Sequence, residues 1–305
     1  HAMQDQYHDL TDPRYVGETQ DADLAVDGIV EGEAVHVEER YDDRCADNWT
    51  CAEAPAGGGG GGSPSFNFGI LQTVLQPYGD GALYVRELVD EGGWAAVNET
   101  MNDPPESTAE VIHRNPDYEE GAVSFEDTAT GGWETYADQG VDGAETAGEA
   151  SMFVMFWYQS AGIQLDGGYE YAVLDPDRSV AQNYNTHFRT DAELDTRGVY
   201  NYAHPVTEGW AGDELYPYRN GDRDGYVWAT EWQTEADAEA FRDAYVRMLT
   251  VRGDGEYDEG TVYTLGEETD FAGAYAVERD GTSVTITSAP SPEGVLELRP
   301  DADLA

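Results

Sequence analysis

Residues 274–287 read Ala274-Tyr275-Ala276-Val277-Glu278, then Arg279-Asp280-Gly281-Thr282, then Ser283-Val284-Thr285-Ile286-Thr287. An Asp-Gly pair between two strand-forming runs is a hairpin signal, because glycine supplies the positive φ that a tight turn needs. Upstream, Tyr169-Glu170-Tyr171-Ala172-Val173, Leu215-Tyr216-Pro217-Tyr218 and Tyr226-Val227-Trp228-Ala229-Thr230 also read as strands. One amphipathic helix interrupts them, from Thr234 to about Leu249, with Ala238, Phe241, Tyr245 and Leu249 near one face.

The first half has a different texture. Residues 1 to about 10 read as the tail of a helix that stops near Thr11-Asp12-Pro13, and Asp21 to about Tyr41 reads as a second helix. A Gly57–Gly62 run follows and lacks the Lys-Ser/Thr of a phosphate-cradling loop. Helical pattern resumes at Phe68-Gly69-Ile70-Leu71 and continues as a helix pair between Tyr78 and Met101. Ser107-Thr108-Ala109-Glu110 has capping-box spacing, with Ser107 capping and Glu110 reaching back. Residues 114 to 140 look irregular, and Glu145 to about Gly162 is a strongly apolar helix. The expected fold class is therefore α+β: a mostly helical region over 1–165, then a small α+β domain over 166–305.

Charge narrows the function classes. The 305 residues carry 63 Asp and Glu against 15 Lys and Arg, a formal net charge of −48, and all fifteen bases are Arg. No basic stripe exists to neutralise phosphates, which excludes nucleic acid, and an anionic membrane surface would repel the chain. No run of about 18 apolar residues is present to span a bilayer. The acids are spread along the whole length and without repeats, which points to adaptation to molar salt, where screening shortens to about 3 Å. No signal peptide is visible.

Cys45 and Cys51 are the only cysteines. Their closeness suits a local disulfide in an oxidising compartment; free thiols or metal ligands are the other reading. Asn48-Trp49-Thr50 lies between them and Asn98-Glu99-Thr100 further on, so Asn48 and Asn98 are glycosylation candidates. Together these favour an extracytoplasmic protein.

Three groups of residues could carry chemistry. His1 stands ahead of Ala2-Met3-Gln4-Asp5-Gln6, and Glu31-Gly32-Glu33-Ala34 lies one helix later. A histidine on one helix and a glutamate on the next is a common zinc-holding arrangement in peptidases. The plainer alternative is a frayed terminal residue and one acid among many. Asn220-Gly221-Asp222-Arg223-Asp224-Gly225, with Glu231 at the twelfth place, has calcium-loop spacing; an acidic hairpin turn has it too. His113 could stabilise an oxyanion or be packed and hydrogen-bonded.

The segment from His1 to Leu10, together with Glu31 to Ala34, resembles a haloarchaeal zincin-like surface-protein family whose metal motif is HExxH. Glu91 to Val97, Pro104 to Thr108 with His113, Trp210-Ala211-Gly212-Asp213, and Trp228 to Ala238 resemble later parts of the same pattern. The resemblance implies a helical, zincin-like C-terminal portion beginning at the second histidine of the motif. His1 would be that zinc histidine, Glu31 the glutamate ligand and Asp5 a partner of the His1 ring. The first histidine and the catalytic glutamate would precede residue 1. Val35 stands where related enzymes carry a supporting Asp. The implied activity is zinc-dependent hydrolysis of a peptide or protein substrate; the rival is a non-catalytic cell-surface module that binds other surface components.

Overall fold

The computed structural model describes residues 1–52, 67–123, 125–161, 171–189, 198–253, 262–267, 269 and 271–302. The Gly57–Gly62 run and the Tyr169-Glu170 part of one expected strand lie outside these residues. The chain is α+β, with a helical N-terminal region and a C-terminal antiparallel sheet.

Helices open the structure. Helix α1 (Ala2–His8) lies on the long helix α2 (Gln20–Asp47). Helix α3 (Phe68–Val74) leads into a π-helical turn, Pro77–Gly81, and then helix α4 (Ala82–Asn102). Gly93 has φ +66° and breaks α4 into the expected pair of helices. Ala25 and Ile29 of α2 pack with Val85, Leu88, Val97 and Met101 of α4, and with Val111 of the short helix α5 (Thr108–His113). Burying each large side chain contributes about 1.5–3 kcal/mol.

The start of α5 departs from the expected capping box. Ser107 makes no side-chain cap; the Thr108 N–H and hydroxyl instead donate to Asp21 of α2, at 3.2 and 2.5 Å. Glu110 does reach back, accepting from the Glu106 N–H at 2.7 Å. A buried carboxyl group from a neighbouring helix has displaced the local cap.

Strand β1 (Glu134–Thr135) and the apolar helix α6 (Gly148–Trp157) follow, then the short helix α7 (Val180–Asn185). The described part of the expected Tyr169–Val173 strand is irregular: Tyr171 donates its N–H to Gln159 rather than to a neighbouring strand. Strands β2 (Trp210–Asn220) and β3 (Arg223–Trp232), helix α8 (Glu235–Arg252), strands β4 (Val262–Leu265), β5 (Gly273–Asp280) and β6 (Ser283–Ala289), and helix α9 (Pro292–Leu298) complete the described α-helices and strands. The sheet order is β1-β2-β3-β6-β5-β4.

The hairpin that set the expectation shows how the sheet is covered on both faces. Strand side chains alternate between faces. Tyr275 and Val277 enter the main core with Phe153, Phe156, Trp157 and Phe241 of α6 and α8. Ala274 and Ala276 enter a smaller core beneath α9, with Trp133, Val295 and Leu298. Small residues on one face and large ones on the other fit a close and a more distant helix layer. Because α6 shares its core with β3 and α8, the main core runs across the boundary expected at residue 165.

One residue ties the sheet to α6. Asp213, in the Trp210-Ala211-Gly212-Asp213 stretch, accepts from the indole N–H groups of Trp210 (2.9 Å) and Trp228 (2.8 Å). It also accepts from the backbone N–H of Ala147 and of Gly148, both at 2.9 Å, at the N-terminus of α6, where negative charge is favoured.

Candidate functional site

The structure brings His1 and Glu31 together. The reason lies in two helix contacts. The first is Gln4, which is buried under α1 and donates its amide to the Val30 carbonyl and to Glu33 Oε2, each at 2.8 Å. Those bonds fix α1 on α2. Gln4 Oε1 then accepts from His1 Nδ1 at 2.8 Å. In neutral histidine this leaves the lone pair on Nε2. That nitrogen lies 3.3 Å from Glu31 Oε2.

The second contact explains Glu31-Gly32. A Cβ on Gly32 would fall 2.3 Å from the Gly81 carbonyl oxygen, and one on Gly81 would fall 2.3 Å from the Gly28 carbonyl oxygen. Only glycines let the π-helical turn lie this close to α2. The close approach sets Tyr78 against Glu31. Burial raises the phenol pKa, and the nearby Glu31 charge raises it further. The same Glu31 charge, after burial, raises the carboxyl of Asp27 one turn earlier.

Tetrahedral zinc with bonds of about 2.0–2.1 Å sets two ligand atoms about 3.3–3.4 Å apart. The His1 nitrogen and Glu31 oxygen have that spacing and the donor chemistry zinc prefers. Beside them runs a groove of about 710 Å³, with Met3, Tyr7, Ala34, Val37 and Trp94 as its apolar lining. Among the described residues, no three or more His, Cys, Asp or Glu side chains converge as a metal ion requires. His1 and Glu31 are thus two donors, not a complete set.

Asp5 does not serve His1. Helix α1 ends at His8, with Asp9 in the left-handed region, and Asp5 Oδ1 accepts from the Leu10 N–H left free there, at 3.2 Å. The partner of the imidazole is Gln4. Helical spacing was the available signal, since positions i+3 and i+4 both lie over residue i. Charge favours Asp5 in the sequence, whereas burial selects the Gln4 amide.

His113 is paired in the interior. Its Nε2 lies 2.8 Å from Glu149 Oε2 and its ring stacks on Tyr118 at 5.1 Å. Glu149 is wholly buried, and its Oε1 has no partner among the described residues. Burial pushes the Glu149 carboxyl up to about 7, although His113 pulls the other way. Burial depresses the His113 imidazole, but the Glu149 hydrogen bond and charge outweigh it and the net shift is upward. The signal for Glu149 was its place at the start of the most apolar helix in the chain.

The calcium spacing is not a loop in three dimensions. Asn220 pairs with Arg223 across the Gly221-Asp222 turn, whereas Glu231 pairs with Ser283 at the far end of β3. Eight residues of strand separate Glu231 from the turn, roughly 25 Å. Glu231 accepts from the hydroxyls of Thr282 (2.5 Å) and Ser283 (2.6 Å), and Asn220 donates to the Gly131 carbonyl (2.9 Å). Asp222 in the turn and Asp224 at the start of β3 are both exposed. The twelve-residue spacing comes from an acidic hairpin.

Cys45 and Cys51 form a disulfide; Cys45 lies inside the last turns of α2, so the bridge pins the segment that follows back onto the helix. Asn48 and Asn98 are both exposed. No helix among the described residues is long and apolar enough to cross a membrane.

Residues 134–299, more than half of the chain, match the family described as Domain of unknown function (DUF8575). The chain belongs to this family. The DUF8575 segment holds the sheet, α6 with Glu149, and Asp213; His1 and Glu31 lie outside it. No curated protein and no solved structure matches the chain.

Proposed function

We propose that His1 and Glu31 are two protein ligands of a zinc site, and that the chain belongs to a zinc-dependent, peptidase-like surface protein of a halophile. The observation that supports this is the His1 Nε2 to Glu31 Oε2 separation of 3.3 Å between residues of two helices, with the ring oriented by Gln4. Zinc held there would polarise a peptide carbonyl and lower the pKa of a bound water. The chain's own part is orientation. Gln4 holds the His1 ring so that Nε2 faces Glu31. The apolar groove beside His1 would receive a side chain of a peptide substrate and keep water from it. The reading requires a further histidine and a base glutamate, which the family resemblance puts ahead of residue 1. The disulfide, the acidic surface and the exposed Asn48 and Asn98 support a secreted or cell-surface setting.

The second reading is a non-catalytic surface module on the same scaffold. The two-donor set at His1 and Glu31 favours it for this chain by itself. Peptide hydrolysis by the gene product that includes the residues before His1 separates the two. Activity abolished by a chelator and by Glu31→Gln fits the enzyme; metal-free protein with no activity on any peptide sinks it.

A further inference from the structure

A second cavity, of about 610 Å³, lies between α4, the loop after it, the start of α5 and residues 116–120. Six carboxylates line it: Glu99, Asp103, Glu106, Glu110, Asp117 and Glu120; none of its described lining residues is basic. An acidic rim alone means little in a chain with 63 acids. The floor is different. Tyr84 is 1% exposed and lines the cavity, yet its hydroxyl has no hydrogen-bond partner among the described residues. Thr100 beside it gives its own hydroxyl to the Ala96 carbonyl. A buried polar group without a partner costs about 1–3 kcal/mol, so a persistent one points to a missing ligand.

We propose that this cavity binds a small aliphatic polyamine, one ammonium reaching the Tyr84 oxygen and the Glu110 carboxylate and the others held by the rim. Three observations select that chemistry. The lining acids do not gather in any metal-holding trio, so the complementary charge is spread over a ligand larger than an ion. Leu88, Ala96, Pro104 and Pro116 offer apolar wall for methylene stems between charges. Burial, with the Glu120 and Glu106 charges adding to it, raises the Glu110 carboxyl to about 7, a load that a bound cation relieves. The site is independent of the zinc reading.

The test is calorimetric titration of the chain with putrescine, with 1,4-butanediol and with calcium as separate arms, under conditions where circular dichroism shows it folded. Saturable 1:1 binding of putrescine alone is expected, weakened about tenfold by Tyr84→Phe and by Glu110→Gln. Absence of 1:1 putrescine binding, equal binding in both variants, or calcium binding as tight as putrescine overturns the proposal. Tyr84→Phe removes one oxygen and keeps the packed ring, so it tests the contact without opening the core.

Discussion

Replacing Asp21 by asparagine should flatten the pH dependence of stability near neutrality. Asp21 is 1% exposed on α2, and its two oxygens accept from the Thr108 N–H and hydroxyl. Burial raises its carboxyl to about 8, with the neighbouring Asp213 charge adding to the shift against the Thr108 hydrogen bonds. An acid whose folded pKa is raised binds its proton more tightly in the folded state. Its contribution is complete below the unfolded value near 4 and is lost as the pH rises through about 8. Each pH unit inside that window changes stability by about 1.4 kcal/mol per extra proton held. From about pH 5.5 to about pH 8 the wild type should therefore lose about 3 kcal/mol through Asp21. Asp80, Glu110 and Glu149, raised to about 6, 7 and 7, add losses of the same sign in both proteins. The amide in Asp21→Asn keeps an acceptor for the Thr108 N–H and cannot ionise. Urea unfolding of both proteins across that range measures the difference. Parallel pH profiles would refute the claim that Asp21 is folded as a neutral acid.

Other substitutions test the remaining joints. Asp213→Ala leaves two indole N–H groups and two helix N-terminal amides unpaired, and should cost about 3–5 kcal/mol in urea unfolding. Gly32→Ala drives a Cβ into the Gly81 carbonyl and should cost about 1–3 kcal/mol, while shifting the Tyr78 absorbance titration as the phenol moves off Glu31. Reduction of Cys45–Cys51, or its replacement by serines, should lower thermal stability by about 2 kcal/mol, since the bridge closes a short loop.

The α+β class was legible because its signals are local. The Asp280-Gly281 turn and the Thr234 cap act through their own neighbours, and both stand where the pattern puts them. The Gly93 break was legible as a gap between two helical patterns. What failed was non-local. Ser107 had capping spacing, but Asp21 reaches its helix from 87 residues away. Asn220 to Glu231 had loop spacing, but strand pairing stretched it into a hairpin. Tyr78 carried no sequence cue because its approach to Glu31 depends on three glycines in two elements. The closeness of His1 and Glu31 was suggested by residue type together with the family resemblance, whereas Gln4 shows itself only through burial.

Zinc titration of this chain, followed by the His1 ring resonances, decides whether His1 and Glu31 hold a metal. Expected is 1:1 binding, weak because two donors hold the ion, with zinc on Nε2, and loss of that binding in both His1→Ala and Glu31→Gln. Zinc binding unchanged by either substitution, or a His1 ring that does not respond to the metal, would contradict it.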